Sequence, residues 1–122
     1  MKRLIMIALF AAIAACSKSS TTAPSEVVQT TTITITSNGV SPANIQVAVG
    51  SRVKFVNNDT RSHNMTSDPH PDHTDCPDIN QVGFLTPGQQ RETGNLNTAR
   101  TCGFHDHDDS ANAKLKGSVK IQ

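Results

Sequence analysis

The sequence predicts an all-β protein, a β-sandwich, carried behind an N-terminal export segment. Three observations point there. Thr31-Thr32-Ile33-Thr34-Ile35-Thr36 alternates apolar and polar residues and is β-branched throughout, the pattern of a half-buried strand. Further short runs of period two recur down the chain, punctuated by Gly, Pro, Asn and Asp, as expected of short strands joined by turns. No stretch sustains the 3.6-residue apolar period of an amphipathic helix.

Residues 1–15 read as a signal peptide. Lys2 and Arg3 give a positive start, and Leu4 to Ala15 is an unbroken apolar run, too short to span a bilayer but suited to a signal-peptide core. The run ends Ile13-Ala14-Ala15-Cys16, which resembles the bacterial lipobox. That resemblance implies cleavage before Cys16, thioether lipidation of its sulfur and acylation of the new amino terminus. Several acyl chains anchor a protein stably. Ser17, standing where an Asp would retain the protein at the inner membrane, implies the outer membrane by the same resemblance. The domain is then expected in the periplasm, touching the membrane through its lipid alone, in a compartment that permits disulfides. Residues 16–30 hold the lipidated Cys and a Ser/Thr-rich tether with Pro24, spanning about 20 Å as a coil.

The folded domain is expected over residues 31–122. After the first strand, Ser37-Asn38-Gly39 is turn chemistry. Ile45, Val47 and Val49 alternate up to Gly50-Ser51, and Val53 and Phe55 continue the period up to Asn57-Asn58-Asp59. Residues 57–81 contain almost no apolar side chain and read as one long loop, a length that is usually functional. Val82, Phe84 and Leu85 form a short apolar patch before the turn Pro87-Gly88, and Leu115, Val119 and Ile121 close the chain as a final strand.

Composition excludes several functions. The formal charge is +1 with no basic stripe, which argues against nucleic acid and against a polybasic membrane patch. There are four Phe, no Trp and no Tyr. With Phe10 in the leader, the core must rest on Val, Ile, Leu and Ala with Phe55, Phe84 and Phe104, and small cores of that kind are marginal without a staple. No Ser-His-Asp order, Gly-rich phosphate loop or framed carboxylate pair occurs, so no enzymatic activity is expected.

Chemistry concentrates in one stretch. All five His and both Cys beyond residue 16 lie between His63 and His107. Cys102-Gly103-Phe104-His105 is a Cys-x-x-His step shortly before the last strand, and His63 ends the strand-turn segment that starts at Val53. A thiolate with two imidazoles suits a borderline or soft metal, and His2Cys with a weak axial ligand is the blue-copper set used for electron transfer.

Over residues 31–122 the sequence resembles the cupredoxin family, plastocyanin and azurin among them. The matching pieces are the alternating strand, Pro42, the strand ending at Gly50, Val53-x-Phe55 leading into Asn57-Asn58-Asp59-Thr60-Arg61-Ser62-His63, the Pro87-Gly88 turn, Cys102-x-x-His105, and Lys116-Gly117-Ser118-Val119-Lys120-Ile121. The resemblance implies a Greek-key β-sandwich and one type 1-like copper held by His63, Cys102 and His105. It also implies transient docking to envelope redox partners. Leu115 stands where the family usually places its axial Met, which predicts a raised reduction potential, and Arg100-Thr101 replaces the common aromatic before the Cys. His107 offers a second imidazole two residues beyond His105.

The segment His63 to Cys76 leaves three readings open. It is a polar loop with surface His; or Cys76 pairs with Cys102 as a disulfide; or Met65, His70, His73, Cys76 and His107 contribute to an enlarged or second metal site. Residues two apart on a strand face the same way, so His63 and Met65 share a face if the strand persists. Asp68, Asp72, Asp75 and Asp78 are candidates to orient imidazoles. Structural zinc would find suitable donors in Cys102, His105 and the His70, His73, Cys76 group. Asp106, Asp108 and Asp109 lack the EF-hand frame that calcium would need. Three functions remain in play: a lipid-anchored copper electron carrier, a copper-capturing lipoprotein using the His/Met/Cys-rich loop, and a structural sandwich closed by a Cys76–Cys102 disulfide.

Overall fold

The structure, a computed structural model, describes residues 26–122. The leader, Cys16 and most of the tether lie outside the described residues. Among the described residues, ten strands form two sheets: β1 Val28–Gln29, β2 Thr32–Thr36, β3 Gly39–Ser41, β4 Asn44–Val47, β5 Lys54–Asn57, β6 His63–Ser67, β7 Gly83–Leu85, β8 Gln90–Glu92, β9 Arg100–Asp106 and β10 Lys116–Ile121. The larger sheet runs β1-β4-β10-β9-β6-β7 and the smaller β3-β2-β5-β8. Only short 3-10 turns interrupt them, at Pro77–Gln81, His107–Asp109 and Ala113–Leu115.

The expected alternation sets the core. Ile33 and Ile35 of β2, Ile45 and Val47 of β4, Phe55 of β5, and Val119 and Ile121 of β10 point inward and are buried. Phe55 and Phe104 meet edge to face across the sheets, with ring centroids 5.2 Å apart and planes at 89°, the favourable quadrupole arrangement. Phe84, expected in the core, is instead half exposed on edge strand β7. Gly117 has no room for a side chain: a Cβ there would strike the Ala43 carbonyl and the Phe104 ring.

Three elements differ from the expectation. Val28–Gln29, within the segment read as tether, pairs in parallel with Ile45–Gln46. The segment read as one loop over residues 57–81 contains β6, which lies between β7 and β9. Its inner face carries His63, Met65 and Ser67, so two of three inward positions are polar and the apolar signal is lost. Ile79, in the 3-10 turn that follows, is fully buried. Lastly, Cys102 to His105 is not a closing loop but the middle of β9, paired along its length with β10.

Candidate metal centre

The strand character of β9 decides which side chains can meet. Cys102 pairs with buried Val119 and faces the core, as does fully buried Phe104. His105 pairs with exposed Lys116 and faces outward. Residues three apart on a strand point to opposite faces, so Cys102 and His105 cannot share a metal while β9 persists. The expected set of His63, Cys102 and His105 is therefore not assembled. Cys102 is bonded to Cys76, with Cα atoms 5.9 Å apart, within the ordinary disulfide range. Of the three readings of the loop, the disulfide holds, and it withdraws both sulfurs from metal binding.

His63 is also occupied. It faces the core with 1% of its surface exposed, and both ring nitrogens meet carboxylates: Nδ1 lies 2.7 Å from Asp106 Oδ2 and Nε2 lies 2.9 Å from Asp59 Oδ2. Each ring nitrogen thus has a carboxylate partner, and neither is left free for a metal. Hydrogen bonding from His63 holds the Asp59 carboxyl below its usual range; burial opposes this, and the Thr60 N–H and the Arg61 charge add to it. Asp106 also accepts from the backbone N–H groups of Asn64 and Asp108. Met65 shares the inward face with His63, as strand parity requires, but it is fully buried in the apolar core. Leu115 is likewise core.

On the outer face of the same strand the remaining imidazoles converge. His70, His73, His105 and His107 place one ring nitrogen each within 4.8 Å of one another. Two come from the segment between β6 and Cys76, and two from the end of β9 and the turn after it. His73 is the one non-glycine with positive φ among the described residues, at 54°, a left-handed conformation that costs on the order of 1–3 kcal/mol. Three contacts impose it: its N–H donates to Pro69 O at 2.7 Å, its ring Nδ1 donates to Ser67 O at 2.8 Å, and its carbonyl accepts from Asn80 Nδ2 at 2.9 Å. With Nδ1 committed, Nε2 is the lone-pair nitrogen, and it lies 2.8 Å from His107 Nδ1.

His105 is set in the same manner. Its Nδ1 donates to Asp68 Oδ1 at 2.5 Å, leaving the lone pair on Nε2; a carboxylate behind an imidazole is the usual orienting device at metal sites. Gly103 makes the approach possible, since a Cβ there would collide with the Asp68 carboxylate. The Nε2 of His105 is buried and has no hydrogen-bond partner. Buried polar atoms rarely go unpaired, and a metal ion would supply what this one lacks. The second such atom among the described residues, Thr66 Oγ1, belongs to the register partner of His105 on β6. His70 is the exposed member. Desolvation by its neighbours comes first in lowering its pKa, followed by the charges of His107, His105, His73 and Lys116. A metal–imidazole bond of about 2.0–2.1 Å needs donor pairs no more than about 4 Å apart, so the cluster fits one ion after a small closure.

Sequence reasoning named all four imidazoles but divided them between sites. It missed Asp59 and Asp106 as partners of His63, although Asp59 stands only four residues before it, and it missed Ser67 and Asn80, whose roles depend on the tertiary fold. A cleft of about 470 Å³, lined by Arg52, Lys54, Arg91 and Glu92 among others, contains none of the predicted site residues.

The model of the cupredoxin-like domain family matches residues 5–94. The match ends before β9, so Cys102, His105 and His107 lie beyond it. No curated protein matches the sequence. Among solved structures, a purple cupredoxin from Nitrosopumilus maritimus is similar, with 18% identity and a TM-score of 0.60 over 76% of this chain and 100% of that one. Plastocyanin from Dryopteris crassirhizoma has 18% identity and a TM-score of 0.58 over 75% and 99%. An amicyanin variant holding Cu(I) has 14% identity and a TM-score of 0.58 over 79% and 82%. At these identities the likeness is one of fold.

Proposed function

The chain belongs to the cupredoxin-like domain family, and from that premise we propose that it is a copper-binding protein of the cell envelope whose metal is held by His70, His73, His105 and His107. The observation that carries this reading is the convergence of four imidazoles around a buried, unpartnered His105 Nε2. Imidazole suits copper and zinc alike, and copper binds more tightly of the two at a given nitrogen site. Bound there, copper would supply a one-electron Cu(II)/Cu(I) couple. The chain's residues do the rest: Ser67 O and Asp68 hold the His73 and His105 rings with Nε2 free, and the outer face of β9 fixes the spacing.

The disulfide supports an oxidising compartment, and the lipobox-like leader supports delivery there with a lipid anchor at Cys16. With both sulfurs in a disulfide, the protein works as a copper-capturing or copper-holding lipoprotein rather than through a thiolate-bound blue centre. A second reading, electron transfer with an envelope redox partner, is favoured by the structural likeness to plastocyanin and amicyanin, of which oxidised and reduced forms are known.

Loading the purified protein with Cu(II) and recording its visible and electron paramagnetic resonance spectra tests this. A weak visible band with couplings to several nitrogens is expected. An intense blue band that vanishes in Cys102→Ser would restore the His63, Cys102, His105 set and contradict the reading. Reversible cycling between Cu(II) and Cu(I) without loss of metal selects electron transfer over capture.

A further inference from the structure

We propose that the Cys76–Cys102 disulfide positions the metal centre, so that metal retention is under thiol–disulfide control. This rests on the four-imidazole reading and deepens it. The centre is made of two chain segments, and the disulfide is the covalent tie between them. Cys76 lies three residues beyond His73 in one segment, and Cys102 lies three residues before His105 in the other. At its start, the segment carrying His70 and His73 is held by the pairing of Ser67 with Phe104. At its end, apart from the disulfide, it is held by weaker contacts: the Cys76 N–H to Ser67 Oγ, the Asp75 N–H to Asp68 O, the long bond from the Gly103 N–H to Asp75 Oδ2, and the partly exposed Asp75–Arg100 ion pair. Exposed ion pairs hold little. The left-handed His73 also needs its surroundings to impose it. Opening the disulfide removes the covalent hold at that end and leaves His73 to its contacts with Pro69, Ser67 and Asn80 alone, so the placement of two of the four ligands loosens.

The bond is reachable. Cys76 lines a cleft of about 130 Å³ together with Pro77, Leu96, Thr98 and Arg100, whereas Cys102 is fully buried. A dithiol reductant would attack the Cys76 sulfur as thiolate. The S–S bond breaks, a mixed disulfide forms, and the second thiol of the reductant resolves it. Two electrons and two protons pass to Cys76 and Cys102, which end as thiols, and the reductant ends as a disulfide. A redox-inert ion such as zinc then leaves without change of oxidation state. By reciprocity, bound metal protects the disulfide from reduction by the same factor that the disulfide tightens metal binding.

Zinc, which has no redox chemistry, is the probe. The purified protein with its disulfide intact is titrated with zinc against a chromophoric chelator. The same is done with protein reduced by a dithiol that is then removed without oxygen, and with the double variant Cys76→Ala/Cys102→Val. Reduced protein and variant are expected to bind at least about tenfold more weakly while circular dichroism still shows the native β signal. Reoxidation should restore binding to the reduced protein. A folded variant that binds zinc as tightly as the intact protein overturns the proposal even if it melts lower, because a disulfide that acts only on the unfolded chain lowers the melting temperature and leaves affinity alone. If that variant does not fold, Cys76→Ser/Cys102→Ala decides by the same criterion, since the thiols of the reduced protein can themselves bind zinc. An intact protein that takes up no zinc removes the four-imidazole centre, and this proposal with it.

Discussion

The two faces of the larger sheet, where β6 and β9 pair, put the same residue types to opposite ends. On the inner face, His63 is enclosed with both ring nitrogens bonded to the carboxylates of Asp59 and Asp106. On the outer face, His105 has one nitrogen on Asp68 and the other buried without a partner. One imidazole is saturated and the other keeps a nitrogen without a partner. The difference lies in how many carboxylates reach the ring and not in burial, since both are 1% exposed. A buried histidine is a metal-ligand candidate when its environment satisfies one nitrogen and leaves the other; when it satisfies both, the ring is part of the frame.

Breaking each face separately should give opposite signatures. His105→Ala or His73→Ala removes a ligand, and affinity for copper should fall by more than about a hundredfold, well beyond the loss from an orienting residue, with the metal-free protein still folded. Competition with a chelator of known affinity reads this; retention of affinity in both variants would break the comparison on its outer side. His63→Ala leaves two buried carboxylates without their partner, which should cost about 3–5 kcal/mol in denaturant unfolding, while each folded molecule still takes up its metal. A wild-type-like unfolding midpoint would show that His63 does not serve as frame. The smallest effect concerns acid. Because His63 holds the Asp59 carboxyl below its ordinary value of 3.8, its contribution is complete above that value and is lost as pH falls through the lowered one. Asp59→Asn should therefore be less stable at neutral pH and flatter in acid, and identical acid limbs for the two proteins would count against the pairing.

Much of the frame was legible because alternation reports burial. Thr32–Thr36, Asn44–Val47 and Lys116–Ile121 show their inward residues as Ile and Val, and each is a strand. β6 was not legible, because its inward positions include His63 and Ser67, polar residues satisfied by partners distant in sequence. The site was half legible. Residue type and clustering marked out His70, His73, His105 and His107. Their grouping depended on whether Cys102 to His105 is loop or strand: in a loop the Cys-x-x-His step can close on one metal, whereas in a strand its two ends face apart. Arg100-Thr101-Cys102-Gly103-Phe104-His105-Asp106 carries a Gly and several polar residues, so its pairing with β10 is visible only in the fold. The disulfide stood among the alternatives from the even cysteine count beyond Cys16, but no spacing rule chose it.

The central claim is that four imidazoles and no sulfur hold the metal. X-ray absorption at the copper edge of the loaded protein tests it most directly, compared with the same measurement on His63→Gln. The account predicts a shell of nitrogen donors alone at about 2.0 Å, with the multiple-scattering pattern of imidazole and the same spectrum in the variant. A sulfur scatterer, or a nitrogen shell that changes when His63 is replaced, would contradict it.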